Sequence, residues 1–126
     1  MDDACVKFSG MAIPEPARPT AIQAVEQYCE DRIPPHVRDE IRLEANIRGN
    51  AIMIVERRPP WREDFGPEWT TQKIARLLYD PATATWSLWW ADRNDRWLTY
   101  PPQKPTGNVE LLLAAIDADQ SGAFYG

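Results

Sequence analysis

Apolar and polar residues alternate along residues 41–48, which is the clearest periodic pattern in the chain. The apolar members of this alternation are Ile41, Leu43, Ala45 and Ile47. Such a period of two predicts a strand with one solvent-facing side. Gly49 and Asn50 follow, and both tolerate positive φ, so they predict a tight turn into a second strand, AIMIVERR. The second strand has apolar residues on both of its faces, so both faces need to be covered by other parts of the protein.

Three more strands are expected downstream, at residues 73–80, 86–92 and 96–100. In the fourth strand, WSLWWAD, alternation places Trp86, Leu88 and Trp90 on one face and Trp89 on the other. Asp80 and Pro81 favour a type I turn before this strand, and the tripeptide RND favours a tight turn after it.

A helix is predicted on each side of the strands. The first begins at Thr20, with Gln23 at capping-box spacing, and ends before Pro34. Its apolar stripe consists of Ile22, Val25, Cys29 and Ile33. The last helix is capped by Asn108, and its apolar face consists of Val109, Leu112, Leu113 and Ile116.

These elements predict an α+β fold, an antiparallel meander of about five strands flanked by an N-terminal and a C-terminal helix. Residues 20–126 form one globular domain, and the proline-rich residues 1–19 are expected to be a flexible arm. Whether Met1 or Met11 is the true start is left open by the sequence.

Composition narrows the function classes. The 126 residues carry a net charge of −5, which disfavours a nucleic-acid partner unless one face is locally basic. No apolar run is long enough for a membrane span and no signal peptide is evident, so a cytoplasmic location is expected. Two cysteines and one histidine cannot make a structural zinc site, and no cofactor is expected.

Six tryptophans and interleaved arginines suggest a binding surface on the sheet and on the loop at residues 59–71. The candidate residues are Arg58, Trp61, Arg62, Trp69, Arg76, Trp89, Arg93 and Arg96. Aromatic residues at strand spacing also serve as plain packing, and the loop is expected to pack back on the sheet. The favoured function is a non-enzymatic binding or interaction module for an unknown protein or small ligand, with a homodimer as a further possibility.

An enzymatic alternative is a small, metal-independent, toxin-like ribonuclease. Glu56 would act as its general base, and Arg58 and Arg76 would clamp the phosphate. A carboxylate beside arginines at a strand end is common on protein surfaces, so the pattern has low specificity.

The segment IDADQSGAFYG resembles the first half of an EF-hand calcium loop. Asp117, Asp119 and Ser121 fit ligand positions 1, 3 and 5, and Gly122 fits position 6. The bidentate carboxylate required at position 12 is absent. The pattern therefore favours a structural tail in which Phe124 and Tyr125 pack against the core.

Four segments together resemble a bacterial family of domains of unknown function, DUF3024. They are ERRPPW, IAR-x-x-Y, D-R-N-x-R-W-x-x-Y and the closing ID-x-D-x-x-G-x-F/Y-x-G, within a resemblance that covers residues 20–126. The resemblance implies a small bacterial cytoplasmic protein. It implies no activity, cofactor or catalytic residue, and it suits a docked tail better than a truncated calcium loop.

Overall fold

A computed structural model of the chain describes residues 17–60 and 69–125. The elements, in chain order, are α1 (Ala17–Arg32), a 3₁₀ turn (Pro35–Val37), β1 (Arg42–Arg48), β2 (Ala51–Arg58), β3 (Thr70–Asp80), β4 (Thr85–Ala91), β5 (Trp97–Thr99) and α2 (Val109–Ala118). The predicted α+β fold, with five strands between two helices, is confirmed.

The sheet is an antiparallel meander in the order β1-β2-β3-β4-β5, so that every strand pairs with its neighbour in sequence. Gly49 turns the first hairpin with a φ of 59°, in the left-handed region where a glycine is unstrained. Beside it, the side-chain amide of Asn50 donates a hydrogen bond of 2.8 Å to the carbonyl of Tyr79 on β3. The predicted Gly49 and Asn50 turn is therefore tied to the third strand as well.

A β-bulge interrupts the pairing of β2 with β3. Ile54 pairs with Ala75 and the next residue, Val55, pairs with Lys73, so Ile74 is the extra residue on β3. A bulge of this kind increases the local twist and shifts the parity of the strand beyond it. As a result Lys73 and Arg76, three residues apart, lie on the same face of the sheet.

Both helices pack on one face of the sheet. The buried strand residues on that face are Leu43, Ile52, Ile54, Ala75, Leu77, Tyr79, Trp86 and Leu88. Trp86 packs against Tyr79 with ring centroids 5.0 Å apart. The predicted division of β4 is confirmed, because Trp86 and Leu88 lie in this core whereas Trp89 lies on the other face.

The first helix begins earlier than the sequence suggested. It includes residues 17–19, which were assigned to the arm, and Thr20 lies inside the helix rather than at its cap. Pro19 is compatible with the first turn of the helix, because the backbone N–H groups of that turn have no hydrogen-bond partner within the helix and proline lacks this N–H. The buried stripe uses Ala21 where Ile22 was expected. The rest of the predicted arm, residues 1–16, lies outside the described residues.

The cap and the apolar face of the second helix agree with the prediction, and the helix continues two residues beyond Ile116 to Ala118. The side-chain oxygen of Asn108 accepts a hydrogen bond of 3.0 Å from the backbone N–H of Glu110 and caps the first turn. All four predicted apolar residues, Val109, Leu112, Leu113 and Ile116, are buried. Within the part of the chain that the structure describes, no helix has the length and apolar content needed to cross a membrane.

Cys29 provides a test of this core by pH. Burial, reinforced by the nearby carboxylates of Glu26, Glu44 and Glu30, raises the pKa of the Cys29 thiol from 9.0 to about 12. Above pH 9 the unfolded chain releases this proton while the folded chain keeps it, so stability is lost as the pH rises. Between pH 9 and pH 10 we expect the wild type to lose about 1 kcal/mol more stability than a Cys29→Ala variant.

Urea unfolding curves at pH 8, 9 and 10 measure this difference. The measurement stops at pH 10 because tyrosines, whose ordinary pKa is 10.0, begin to ionise there. If the unfolding free energy fell by the same amount between pH 9 and pH 10 in the wild type and in Cys29→Ala, the thiol would ionise as easily in the folded state as in the unfolded state.

Candidate functional site

The face of the sheet opposite the helices, called the open face below, carries a cross-strand row of mixed side chains. The register aligns Asn46 of β1 with Met53 of β2, Arg76 of β3, Trp89 of β4 and Thr99 of β5. Because paired residues of neighbouring antiparallel strands point to the same side, all five share this face.

A second row lies beside the first. It contains Glu44, Val55 and Lys73 on the first three strands, and Ala91 paired with Trp97 on the last two. Half-buried Met53 and buried Val55 form the apolar middle of this face, with aromatic and cationic side chains toward β3, β4 and β5.

Cationic groups stack on the tryptophan rings of this face. The Arg76 guanidinium lies 4.8 Å from the ring centroid of Trp89 and 5.6 Å from that of Trp97. The Lys73 ammonium lies 5.5 Å from the Trp97 ring. These distances fall within the range of cation–π attraction, so the rings hold the cations in place against the sheet.

A second stack lies at the other side of the open face. The Arg42 guanidinium of β1 lies 4.3 Å from the ring of Trp69, the residue just before β3. Arg57, paired with Arg42 across the first hairpin, donates a hydrogen bond of 3.3 Å to the Glu44 carboxylate. The two stacks together extend the site from β1 to β5.

Arg76 is the central cation of the site and is partly shielded from water. Its Nε atom is buried and has no hydrogen-bond partner. The pKa of Arg76 is lowered by this burial, although an arginine remains charged at neutral pH. A buried guanidinium N–H without a partner is costly, so an acceptor that reached Arg76 would gain a favourable hydrogen bond.

The open face is basic although the chain as a whole is acidic. Its described cations are Arg42, Arg48, Arg57, Lys73 and Arg76, and its described strand carboxylates are Glu44 and Asp80. The carboxylates on the helix side include Glu26, Glu30, Asp31, Glu110 and Asp117. The net charge of −5 therefore masks a separation of charge between the two sides of the molecule.

The structure brings together only part of the predicted binding surface. Trp69, Arg76 and Trp89 lie on the open face, and Arg93 and Arg96 lie at its rim in the turn between β4 and β5. Arg58 lies at the end of β2, and the alternation along this strand places it on the helix-covered face rather than on the open face. Trp61 and Arg62 lie outside the described residues, as does the predicted packing of their loop.

Four residues of the site were missed by sequence reasoning, namely Arg42, Arg57, Lys73 and Trp97. The sequence did contain a signal for Arg42, because the alternation in β1 predicts that its polar residues form the solvent-facing side. What was lacking was the register that connects this side with Trp89 three strands away. Lys73 joins the site only because the bulge at Ile74 shifts its parity.

The residues of the ribonuclease hypothesis do not converge. Glu56 accepts a hydrogen bond of 2.9 Å from Arg58, and both have the parity of the helix-covered face. Arg76 pairs with Met53 and lies on the opposite face of the sheet. A single phosphate could not contact Glu56 and Arg76 together in this arrangement, because the sheet lies between them.

The calcium-like segment forms a docked tail. Asp119 ends α2 in the left-handed conformation, and its two carboxylate oxygens accept hydrogen bonds of 2.9 Å from the backbone N–H groups of Phe124 and Tyr125. Asp117 pairs with Arg32 at 3.1 Å, and the Ser121 hydroxyl donates to the Tyr100 hydroxyl. The carboxylates of Asp117 and Asp119 thus already face donors of the protein.

The tail reaches the first helix as well as the sheet. Phe124 is buried against Tyr100 with ring centroids 4.9 Å apart. The Tyr125 hydroxyl is 2.7 Å from the Tyr28 hydroxyl, and the Arg32 guanidinium lies 4.3 Å from the Tyr125 ring. Burial, together with the hydrogen bond that joins its hydroxyl to that of Tyr28, raises the pKa of Tyr125. The predicted packing of Phe124 and Tyr125 is confirmed.

Comparison with known protein families shows to which family the chain belongs. The model of DUF3024, a domain of unknown function, matches residues 13–126. The chain belongs to the DUF3024 family. The resemblance seen in the sequence is thereby confirmed, and the DUF3024 match extends it seven residues toward the N-terminus. No curated protein and no solved structure matches the chain.

Proposed function

We propose that this DUF3024 protein is a non-enzymatic interaction module that binds a partner protein across the open face of its sheet. The observation that supports the proposal most directly is the sharing of Trp89, Trp97 and Arg76 by one face, opposite the face on which both helices pack. Half-buried tryptophans and arginine are the residue types that dominate the binding energy of protein interfaces.

The layout of the face also favours a protein over a small ligand. Met53, which is half-buried, lies near its centre above the buried Val55, and tryptophans and cations surround it. An apolar centre with an aromatic and polar rim is the usual anatomy of a protein–protein interface, whereas small ligands bind in concave pockets.

A binding role fits the charged groups of the face better than catalysis. Arg76, Lys73 and Trp97 are held together by cation–π contacts. Glu44 is engaged by Arg57 at 3.3 Å on β1 and β2, and Asp80 accepts a hydrogen bond of 2.9 Å from the backbone N–H of Ala82 in the turn after β3. A free general base is needed for proton abstraction, and both of these carboxylates are already engaged by donors of the protein.

Site-directed photo-crosslinking in living cells tests the proposed face. A photoreactive phenylalanine analogue would replace Thr99, which is exposed on the open face, or Glu110, which is exposed on α2 on the helix side. We expect a discrete crosslinked protein from position 99 and none from position 110. We also expect the adduct at position 99 to be lost when Trp97→Ala is added.

The thermal midpoint of each variant serves as the control for folding. A crosslinked protein from position 110 alone, or an adduct at position 99 that persists in Trp97→Ala, would rule out the open face as the interaction surface.

A further inference from the structure

The cations of the open face exceed its carboxylates, and three of them have no described counter-charge. Arg57 is paired with Glu44 at 3.3 Å. Among residues 17–60 and 69–125, no carboxylate lies within ion-pair distance of Arg42, Lys73 or Arg76. Lys73 instead donates a hydrogen bond of 2.9 Å to the backbone carbonyl of Asp95. These charges are held above tryptophan rings, and the described strands of the open face carry more cations than carboxylates.

The geometry of these cations suits carboxylates. A guanidinium presents a planar set of donors that matches a carboxylate in a bidentate pair. The buried Nε of Arg76, which has no partner, is one such donor, and the Nε of Arg57 is another. A carboxylate of a bound protein that approached either guanidinium would neutralise its charge.

A single-stranded nucleic acid fits the face less well. Such ligands bind by stacking bases on exposed aromatic rings. Here the Arg76 guanidinium already lies over the rings of Trp89 and Trp97, and the Arg42 guanidinium lies over Trp69. The net charge of −5 also repels a polyanion at long range, whereas a compact acidic patch needs to approach only the basic face.

A second copy of the chain is also a poor occupant. In a symmetric face-to-face dimer, the cations of one open face would meet a surface with the same excess of cations, because a two-fold interface pairs one surface with itself. The two carboxylates of the described strands on this face, Glu44 and Asp80, are fewer than its five cations. Like charges placed opposite each other oppose association.

We infer that the open face selects a partner surface rich in aspartate and glutamate, with Arg42, Arg76 and Lys73 as the residues that recognise its carboxylates. This inference rests on the proposed function and names the chemistry of the partner. The partner would place an apolar group near Met53 and carboxylates around it.

Fluorescence anisotropy with synthetic probes tests the inference. The probes are a labelled peptide of alternating leucine and glutamate, its twin with glutamine in place of glutamate, and oligothymidylate of equal length. We expect the glutamate peptide to bind at least about tenfold more tightly than the other two. Raising the salt from about 50 to about 300 mM should weaken its binding about tenfold or more, because exposed charge pairs are screened.

A pair of double variants locates the effect. Arg42→Gln with Arg76→Gln removes two charges from the open face and should weaken binding of the glutamate peptide at least about tenfold. Arg18→Gln with Lys104→Gln removes the same charge elsewhere and should leave binding within about twofold. Thermal midpoints would show that both double variants are folded.

Several outcomes would overturn the inference. They are equal binding of the glutamine twin, tighter binding of oligothymidylate, equal weakening by the two double variants, or no binding of the glutamate peptide. Crosslinking at position 99 separates this failure from failure of the proposed function. If a protein is captured there and the glutamate peptide does not bind, the interaction surface stands and its preference for carboxylates does not.

Discussion

The Trp86→Ala variant is expected to lose about 3–5 kcal/mol of folding free energy, the largest effect of any tryptophan substitution in the sheet. Trp86 is 2% exposed and stacks against Tyr79 on the neighbouring strand. Its backbone N–H and carbonyl also pair with Thr106, which anchors the segment before α2. Removing the indole would leave a cavity where the sheet, Thr106 and α2 meet.

Trp89→Ala is the matched control, since it removes the same side chain from the same strand on the opposite face. Trp89 is half-buried under Arg76, and we expect its removal to cost about 1.5 kcal/mol or less. Urea unfolding at neutral pH measures both variants. Similar losses from the two substitutions would mean that the open face is buried as completely as the core.

The Asp119→Ala variant is expected to lose about 2–3 kcal/mol, because two hydrogen bonds to one carboxylate would disappear. These bonds, from the N–H groups of Phe124 and Tyr125, hold the tail on the core. Asp119 also has a φ of 44°, a conformation that aspartate tolerates better than alanine. Loss of the bonds and backbone strain therefore add in this variant.

Asp119→Gly separates the two contributions. Glycine removes the same hydrogen bonds and relieves the strain, so this variant should be about 1 kcal/mol more stable than Asp119→Ala. Hydrogen exchange gives a second readout: the amides of Phe124 and Tyr125 should be protected in the wild type and exchange rapidly in both variants. Persistent protection in Asp119→Ala would show that packing of Phe124 alone holds the tail.

The features that the sequence predicted correctly are determined locally. The turn at Gly49, the two faces of β4, and the cap of α2 by Asn108 each depend on a few neighbouring residues. The packing of Phe124 and Tyr125 was also predicted correctly. The segment lacks the carboxylate that a calcium loop needs at position 12, so it was interpreted as a structural tail. Where a short motif is sufficient to specify the geometry, the alternation and capping rules were adequate.

The composition of the site could be predicted only in part, because it depends on register across five strands. Arg58 and Arg76 appear equivalent as strand arginines, yet they lie on opposite faces. The bulge at Ile74 leaves no distinctive residue in the sequence, and it moves Lys73 onto the open face. The start of α1 was missed for a different reason, since Pro19 is compatible with either a loop or a first helical turn.

The order in which the core is completed has a consequence during synthesis. Every pair of neighbouring strands is consecutive in sequence, so the meander can form from local hairpins as soon as its residues have left the ribosome. Its last cover arrives much later, because α2 and the tail contact α1 across sequence separations of 85 and 97 residues. Until then Trp86 and Leu88 lack the cover of α2. A nascent chain stalled before Asn108 would therefore present a nearly finished sheet whose apolar face is covered by α1 but not by α2, which makes it a substrate for chaperones and a risk for aggregation.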